Sequence, residues 1–215
     1  MTNNLYSAYF KRAFDLTASV LGFLVLSPIF ILLMIILLID YKGSPFFLQE
    51  RPGKGEKIFK IIKFKTMNNK KDASGNLLSN RIRTTKLGKY IRRYSLDEIP
   101  QLLNVIKGDM SLIGPRPLVV IYLPYYNDKE RKRHSVRPGI TGLAQVKGRN
   151  NLVWEDRFDF DVHYVENLGF SLDIKILYWT LLKILSKSDV AIDQDEFLDW
   201  FNIYRKKQLE ADKVS

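Results

Sequence analysis

The sequence predicts an α+β protein, mostly helical, carrying an N-terminal membrane helix. Three observations support that expectation. Ala13 to Ile39 is apolar apart from Asp15. Leu96 to Lys107 repeats apolar residues at helical spacing (Leu96, Ile99, Leu102, Leu103, Ile106) and stops at Gly108, a C-terminal signal. Ile58 to Met67 mixes β-branched, aromatic and basic residues in the manner of a strand. A chain of 215 residues can hold one well-sized core plus an anchor. The predicted division is an anchor over 1–42, a globular domain over 43–187 and a basic amphipathic tail over 188–215.

A straight helix over Ala13–Ile39 would be about 40 Å long, against a bilayer core of about 30 Å. Ser27-Pro28 lies near its middle. An interior proline removes a helix hydrogen bond and clashes with the preceding turn, so a break is expected there, leaving two arms too short to span. Lys11 and Arg12 precede the segment, and Lys42, Arg51, Lys54 and Lys57 follow it. Basic flanks favour the cytoplasmic side, and a helix that dips in and returns satisfies both ends. A kinked helix that crosses stays open, because membrane helices tolerate proline. A signal peptide fits poorly: the run is too long and no A-x-A-like site follows.

Elements after the anchor follow from local signals. Gly43-Ser44-Pro45 marks a turn and a boundary. Asn68–Asn80 is polar and contains glycine, so a loop is expected. Thr84–Arg93 is basic and helix-compatible, and Leu118–Arg133 is expected as another helix with a basic tail. Arg137–Arg149 is rich in glycine and turn signals. Leu172–Lys187 and Phe197–Lys207 combine apolar or aromatic residues with lysine and arginine; either could lie at a membrane interface or pack on the domain.

The net charge of +11 points to an anionic partner: nucleic acid, acidic lipid headgroups or phosphate-bearing substrates. No nucleic-acid recognition motif accompanies it, so a nucleic-acid partner is not expected. The absence of cysteine excludes a disulfide framework and Cys-ligated metal sites, and His134 and His163 alone do not suggest a histidine metal centre. No GxGxxG or Walker motif is present.

The residues best suited to chemistry lie between Arg92 and Pro117. Asp97 and Glu98 sit where a helix is expected to begin, with Pro100 in its first turn if Asp97 caps it. The helix dipole and Arg92 and Arg93 would favour an ionised Asp97, as a nucleophile or metal ligand requires. A purely structural reading competes: Ser95-x-x-Glu98 matches a capping box. Arg116 lies between Pro115 and Pro117, and a guanidinium on so stiff a backbone suits bidentate phosphate binding. Arg137 and Arg149 flank the glycine-rich stretch as a further phosphate cradle. Asp159-x-Asp161 spells a metal-binding pattern of nucleotide-sugar glycosyltransferases, although on a helix the two acids would point about 200° apart.

In order along the chain stand the basic start, Ser27-Pro28, Gln49-Glu50-Arg51-Pro52-Gly53, Lys63-Phe64-Lys65-Thr66-Met67, Ser95-Leu96-Asp97-Glu98, Gly108 to Pro117, and Arg137-Pro138-Gly139-Ile140-Thr141-Gly142. This series resembles the bacterial sugar transferases, or monotopic phosphoglycosyl transferases, from about Lys11 to Lys187. The resemblance implies a re-entrant anchor in the bacterial inner membrane with the catalytic domain on its cytoplasmic face. It implies the minimal form, without the extra N-terminal transmembrane bundle of longer members. It makes Asp97-Glu98 the catalytic dyad, with Asp97 the nucleophile and Mg²⁺ held at Asp97 and Glu98. Arg92, Arg116 and Arg149 fall on phosphate-handling positions, and Lys63, Lys65, Arg137 and Asp161 on other active-site positions. One departure is Leu143, where relatives often carry tryptophan, which bears on sugar contacts.

The implied reaction moves a sugar-1-phosphate from a nucleotide diphosphate sugar, expected to be a UDP-sugar, onto polyprenyl phosphate, at a membrane rich in anionic lipid. Three other readings stay open on residues alone. They are a metal-dependent Asp-x-Asp glycosyltransferase, a membrane-tethered nucleic-acid binder and a non-enzymatic membrane scaffold.

Overall fold

A computed structural model describes residues 6–148, 152–186 and 200–211. After a short π-helical turn at Tyr6–Phe10, α1 runs from Lys11 to Tyr41, and β1 (Phe46–Pro52) pairs antiparallel with β2 (Ile58–Phe64). Two short helices follow, α2 (Asn80–Arg83) and α3 (Lys86–Arg93), then a 3₁₀ turn at Leu96–Glu98 and α4 (Gln101–Lys107). β3 (Ser111–Ile113) pairs in parallel with β4 (Gly139–Thr141). Between those strands lie a 3₁₀ segment (Val120–Tyr125), α5 (Asp128–Arg131) and another 3₁₀ turn (Lys132–Ser135). α6 (Leu143–Lys147), α7 (Trp154–Glu166), α8 (Phe170–Ser186) and α9 (Phe201–Ala211) complete the order. Two two-stranded sheets among many helices agree with the expected α+β class.

Helix runs through the expected break at Ser27-Pro28: α1 is one hydrogen-bonded helix of 31 residues with Pro28 inside it. The local chemistry explains this. Proline has no N–H to give the carbonyl four residues back, which is that of Leu24. The Ser27 hydroxyl donates to the Leu24 carbonyl at 2.7 Å and supplies the missing bond.

One stripe of α1 faces the rest of the protein. Lys11, Asp15 and Ser19 are buried toward the N-terminal end, and Leu33 and Leu37 toward the other. Lys11 Nζ meets Asp173 of α8 at 2.7 Å, and Asp15 accepts the Leu112 N–H at 3.1 Å, so the one acid in the apolar run faces protein. Leu33 and Leu37 pack with Phe64, Ile91 and Ile99. The opposite face exposes Leu21, Leu24, Val25, Leu32, Leu38 and Ile39. By length and composition α1 could cross a membrane.

Other sequence expectations are met unevenly. The strand ends at Phe64, with Met67 in an isolated bridge to Thr84, and the partner strand β1 was not anticipated. The helix expected from Leu118 to Arg133 is replaced by two 3₁₀ pieces around α5. Pro124 lies inside the first piece, and Asn127 and Glu130 form a reciprocal capping box that starts α5 afresh. α4 ends on Gly108 as expected, at φ 98°. On α8, Ile176 and Asp173 are buried while Phe170, Ile174, Tyr178, Leu181 and Leu182 are exposed, so one face packs and the other is open and apolar. α9 docks on the domain: Phe201 is fully buried among Tyr122, Tyr126, Trp154 and Phe158.

Candidate active site

Lys63 comes from β2, Arg92 from the last turn of α3, Asp97 and Glu98 from the 3₁₀ turn, and Arg116 from the loop after β3. Close backbone contacts bring these elements together. A Cβ on Gly88 would lie 2.0 Å from the Thr66 carbonyl oxygen, so only glycine lets α3 come this near the end of β2. That approach lets Arg92 Nε donate to Thr66 Oγ1 at 2.9 Å. Asn104 of α4 donates to the Lys60 carbonyl at 2.8 Å and accepts from the Ile62 N–H at 3.0 Å, tying the helix after the dyad to the strand that carries Lys63. A Cβ on Gly139 would lie 2.1 Å from the Gly114 nitrogen, so β4 seats directly against the backbone leading into Pro115 and Arg116.

The dyad turn itself corrects two expectations. Ser95 adopts a left-handed backbone at φ 55°, an uncommon conformation for a residue with a side chain, and makes no side-chain cap. Glu98 points to Lys63 and Arg116, so the capping box does not form. Nor is Asp97 the N-cap of α4, which begins at Gln101 with Pro100 before it. The tight 3₁₀ turn places both carboxylates ahead of the α-helix and turns them toward the cations.

The two carboxylates are used differently. Glu98 Oε1 receives Lys63 Nζ at 2.7 Å and Arg116 Nη2 at 2.8 Å. Burial opposes its ionisation, but Arg116 and Lys63 outweigh that and hold its pKa well below the usual carboxylate value. Asp97 lies 3.9 Å from Lys63 Nζ and accepts no hydrogen bond among the described residues. Burial and the neighbouring Glu98 raise its pKa, while Lys63, Arg92 and Arg116 pull the other way. One carboxylate is fixed as a counter-ion; the other is unbonded among cations.

Of the remaining predicted residues, Arg116, Lys63 and Arg92 converge on the dyad. Lys65 lies over the Tyr41 ring at 4.9 Å. Arg137 Nε donates to the Gly108 carbonyl at 2.9 Å, at the C-terminal end of α4. There it joins Arg12, whose guanidinium donates to the carbonyls of Val105 and Ile106. Arg149 lies outside the described residues. Asp161 is buried and accepts Arg133 Nε at 3.0 Å and Nη2 at 2.7 Å, while Asp159 pairs at the surface with Lys129 at 2.6 Å. The Asp-x-Asp pair therefore does not converge on a shared metal position. Leu143, the departure from the family pattern, is a core residue packed with Ile113, Val146 and Tyr164.

Sequence reasoning missed Arg133. It is 2% exposed, and beyond gripping Asp161 it donates Nη2 to the Arg116 carbonyl at 2.7 Å. In the sequence it is one cation in a basic run, and no spacing distinguishes it. Thr66 was legible only as part of the Lys63–Met67 motif.

The bacterial sugar transferase profile matches residues 6–187, a stretch that includes every element of this site. The chain belongs to the bacterial sugar transferase family. Among relatives of this sugar transferase, the uncharacterized sugar transferase EpsL of Bacillus subtilis (strain 168) is 52% identical over 177 residues, covering 81% of this chain and 87% of the relative. The undecaprenyl-phosphate glucose phosphotransferase of Komagataeibacter xylinus is 40% identical over 185 residues, 80% of this chain and 35% of that protein. A UDP-N-acetylgalactosamine-undecaprenyl-phosphate N-acetylgalactosaminephosphotransferase of Aeromonas hydrophila is 36% identical, over 83% of this chain and 44% of its own length.

Proposed function

We propose that this sugar transferase moves a sugar-1-phosphate from a nucleotide diphosphate sugar, a UDP-sugar in our reading, onto polyprenyl phosphate. The products are polyprenyl diphosphate sugar and UMP. The observation that carries the mechanism is the unequal use of the dyad: Glu98 is hydrogen-bonded to Lys63 and Arg116, and Asp97, 3.9 Å from Lys63 Nζ, accepts no hydrogen bond among the described residues. An Asp97 oxygen attacks the phosphorus that bears the sugar, the bond to the nucleotide phosphate breaks, and UMP leaves with that bonding pair. A phosphate oxygen of the polyprenyl carrier then attacks the same phosphorus and releases Asp97. Lys63, Arg92 and Arg116 surround Asp97 and offset the phosphate charge in both steps. Arg116, held by its prolines and by Arg133, presents a planar fork to a phosphate.

Mg²⁺ fits the residues present. No group of three or more potential ligands converges among the described residues, but Mg²⁺ is commonly held by one or two carboxylates together with substrate phosphates and water. Asp97 and the Glu98 oxygen not engaged by Lys63 and Arg116 would hold it. When bound, it neutralises phosphate charge.

The re-entrant reading is supported by attachment at both ends of α1. Lys11 bonds Asp173, and Tyr41 Oη lies 3.4 Å from Thr85 Oγ1, so one domain holds both ends. A helix held in this way does not place its ends on opposite sides of a bilayer when the domain lies on one side. In our reading the domain faces the cytoplasm and the chain is monotopic, which brings the lipid phosphate and the soluble donor to the same headgroup plane.

The test is a panel of nucleotide sugars with undecaprenyl phosphate, scored for UMP. Wild type should release UMP from at least one donor and, given donor alone, form a phosphosugar adduct at Asp97. Asp97→Asn should do neither. Full turnover by Asp97→Asn would sink the mechanism.

A further inference from the structure

Arg51 stands near the end of β1, against the turn that carries Arg116. Its Nη1 donates to the Pro117 carbonyl at 3.3 Å and its Nη2 to the Gln49 side chain. Both acceptors are neutral, and no carboxylate pairs with Arg51 among the described residues. Its Nε is buried without a hydrogen-bond partner among the described residues. After burial, the largest influence on it is the Arg116 guanidinium, a like charge, and together they lower its pKa to about 10.

Arg116 is placed to share a ligand with it. Glu98 is its one side-chain hydrogen-bond partner among the described residues, and its side chain is 41% exposed. A guanidinium has five N–H donors, so most of the fork remains for a ligand. The Arg51 guanidinium, bonded to the backbone next to Arg116, feeling its like charge and lacking a counter-ion among the described residues, is buried at a free-energy cost that a shared anion would offset. Phosphate, with several acceptor oxygens and up to two charges, matches two forks better than a carboxylate does.

We infer that Arg51 and Arg116 form a two-guanidinium clamp for a substrate phosphate, built on the Pro115-Arg116-Pro117 turn. The inference rests on the phosphoglycosyl transfer reading for the identity of that substrate. The donor has two phosphates, and only one meets Asp97. The clamp adjoins the dyad, since Arg116 touches Glu98 directly. The phosphate it holds belongs either to the departing nucleotide or to the polyprenyl carrier.

The experiment uses the full chain in nanodiscs with Arg51→Gln and Arg51→Lys. Inorganic pyrophosphate binding, measured by calorimetry without turnover, should weaken about tenfold or more in Arg51→Gln, as loss of a charged hydrogen bond implies. Arg51→Lys keeps the charge without the fork and should lie between. If Arg51→Gln does not fold, as judged by circular dichroism and thermal midpoint, Arg51→Lys decides by the same binding measurement. Two kinetic arms separate the sources. A raised inhibition constant for UMP places the leaving nucleotide in the clamp, and a raised KM for undecaprenyl phosphate places the carrier there. Unchanged pyrophosphate binding, with both kinetic constants unchanged in a folded variant, overturns the clamp and reduces Arg51 to a brace on Pro117. If wild type releases no UMP from any donor, the functional reading fails, and pyrophosphate binding still decides the clamp.

Discussion

At the scale of single residues, the dyad shows how neighbours divide two adjacent acids into different roles. Glu98 takes the hydrogen-bonded contacts of Lys63 and Arg116, which outweigh its burial, whereas burial and the neighbouring Glu98 leave Asp97 with a raised pKa. Because its folded pKa is raised, the unfolded chain gives up the Asp97 proton more readily, so stability falls as pH rises from the unfolded value through the folded one. Asp97→Asn removes that cost, so its thermal midpoint at neutral pH should equal or exceed that of wild type while turnover is lost. The wild-type kcat should fall on acidification with a midpoint above that of an ordinary aspartate. Arg133 is a positioning residue, reaching the reaction only through the Arg116 carbonyl. Asp161→Asn leaves that buried guanidinium without its counter-charge, at a cost of about 3–5 kcal/mol. The kinetic signature should be a fall in kcat with a smaller change in donor KM, because the Arg116 fork remains but its aim is looser. A thermal midpoint that falls with kcat unchanged would leave Asp161 a purely structural residue.

Among the elements, α1 carries the least usual combination: an apolar outer face, a buried polar stripe and a proline that does not divide it. Ser27 explains the continuity, since its hydroxyl replaces the donor that Pro28 lacks. Contact at both ends explains how a helix of 31 residues stays associated with one body. Single cysteines near Asn4 and at Lys42, in a chain with none of its own, test its topology. With a membrane-impermeant thiol reagent on intact cells, both positions should stay unlabelled until the cells are opened. Labelling of the Asn4 position from outside would mean that α1 crosses.

Over the whole molecule, α1 and α9 pack into different hydrophobic clusters of the same domain. α1 packs on α4 and β3 and, through Phe30, on Phe46 of β1 and Phe64 of β2. α9 closes the aromatic cluster that also encloses Arg133: Phe158 and Tyr126 contact the Phe201 ring, and both lie 5.7 Å from the Arg133 guanidinium. Phe201→Ala should therefore cost about 3–5 kcal/mol, as expected for a large buried aromatic. Trp200→Ala, at a side chain 53% exposed, should cost much less. Equal thermal midpoints for the two variants would mean that α9 does not contribute to the core.

The sequence alone determined the apolar helix, the stop at Gly108, the α+β class and the motifs that place the chain in its family, and the resemblance those motifs carry singled out Asp97, Glu98, Arg92, Arg116 and Lys63. These are local signals: composition, spacing, turn residues and short motifs. Tertiary structure decided what depends on distant partners. Whether Ser95-x-x-Glu98 is a cap or a counter-ion pair turned on Lys63 and Arg116, which come from other elements. Arg137 reads as a phosphate cradle beside glycines, but its side chain donates to Gly108. Arg133 and Arg51 look like ordinary basic residues until the fold brings one beneath Arg116 and the other beside it. A charge gains its role from the groups that desolvate and face it, and those groups lie far apart in the chain.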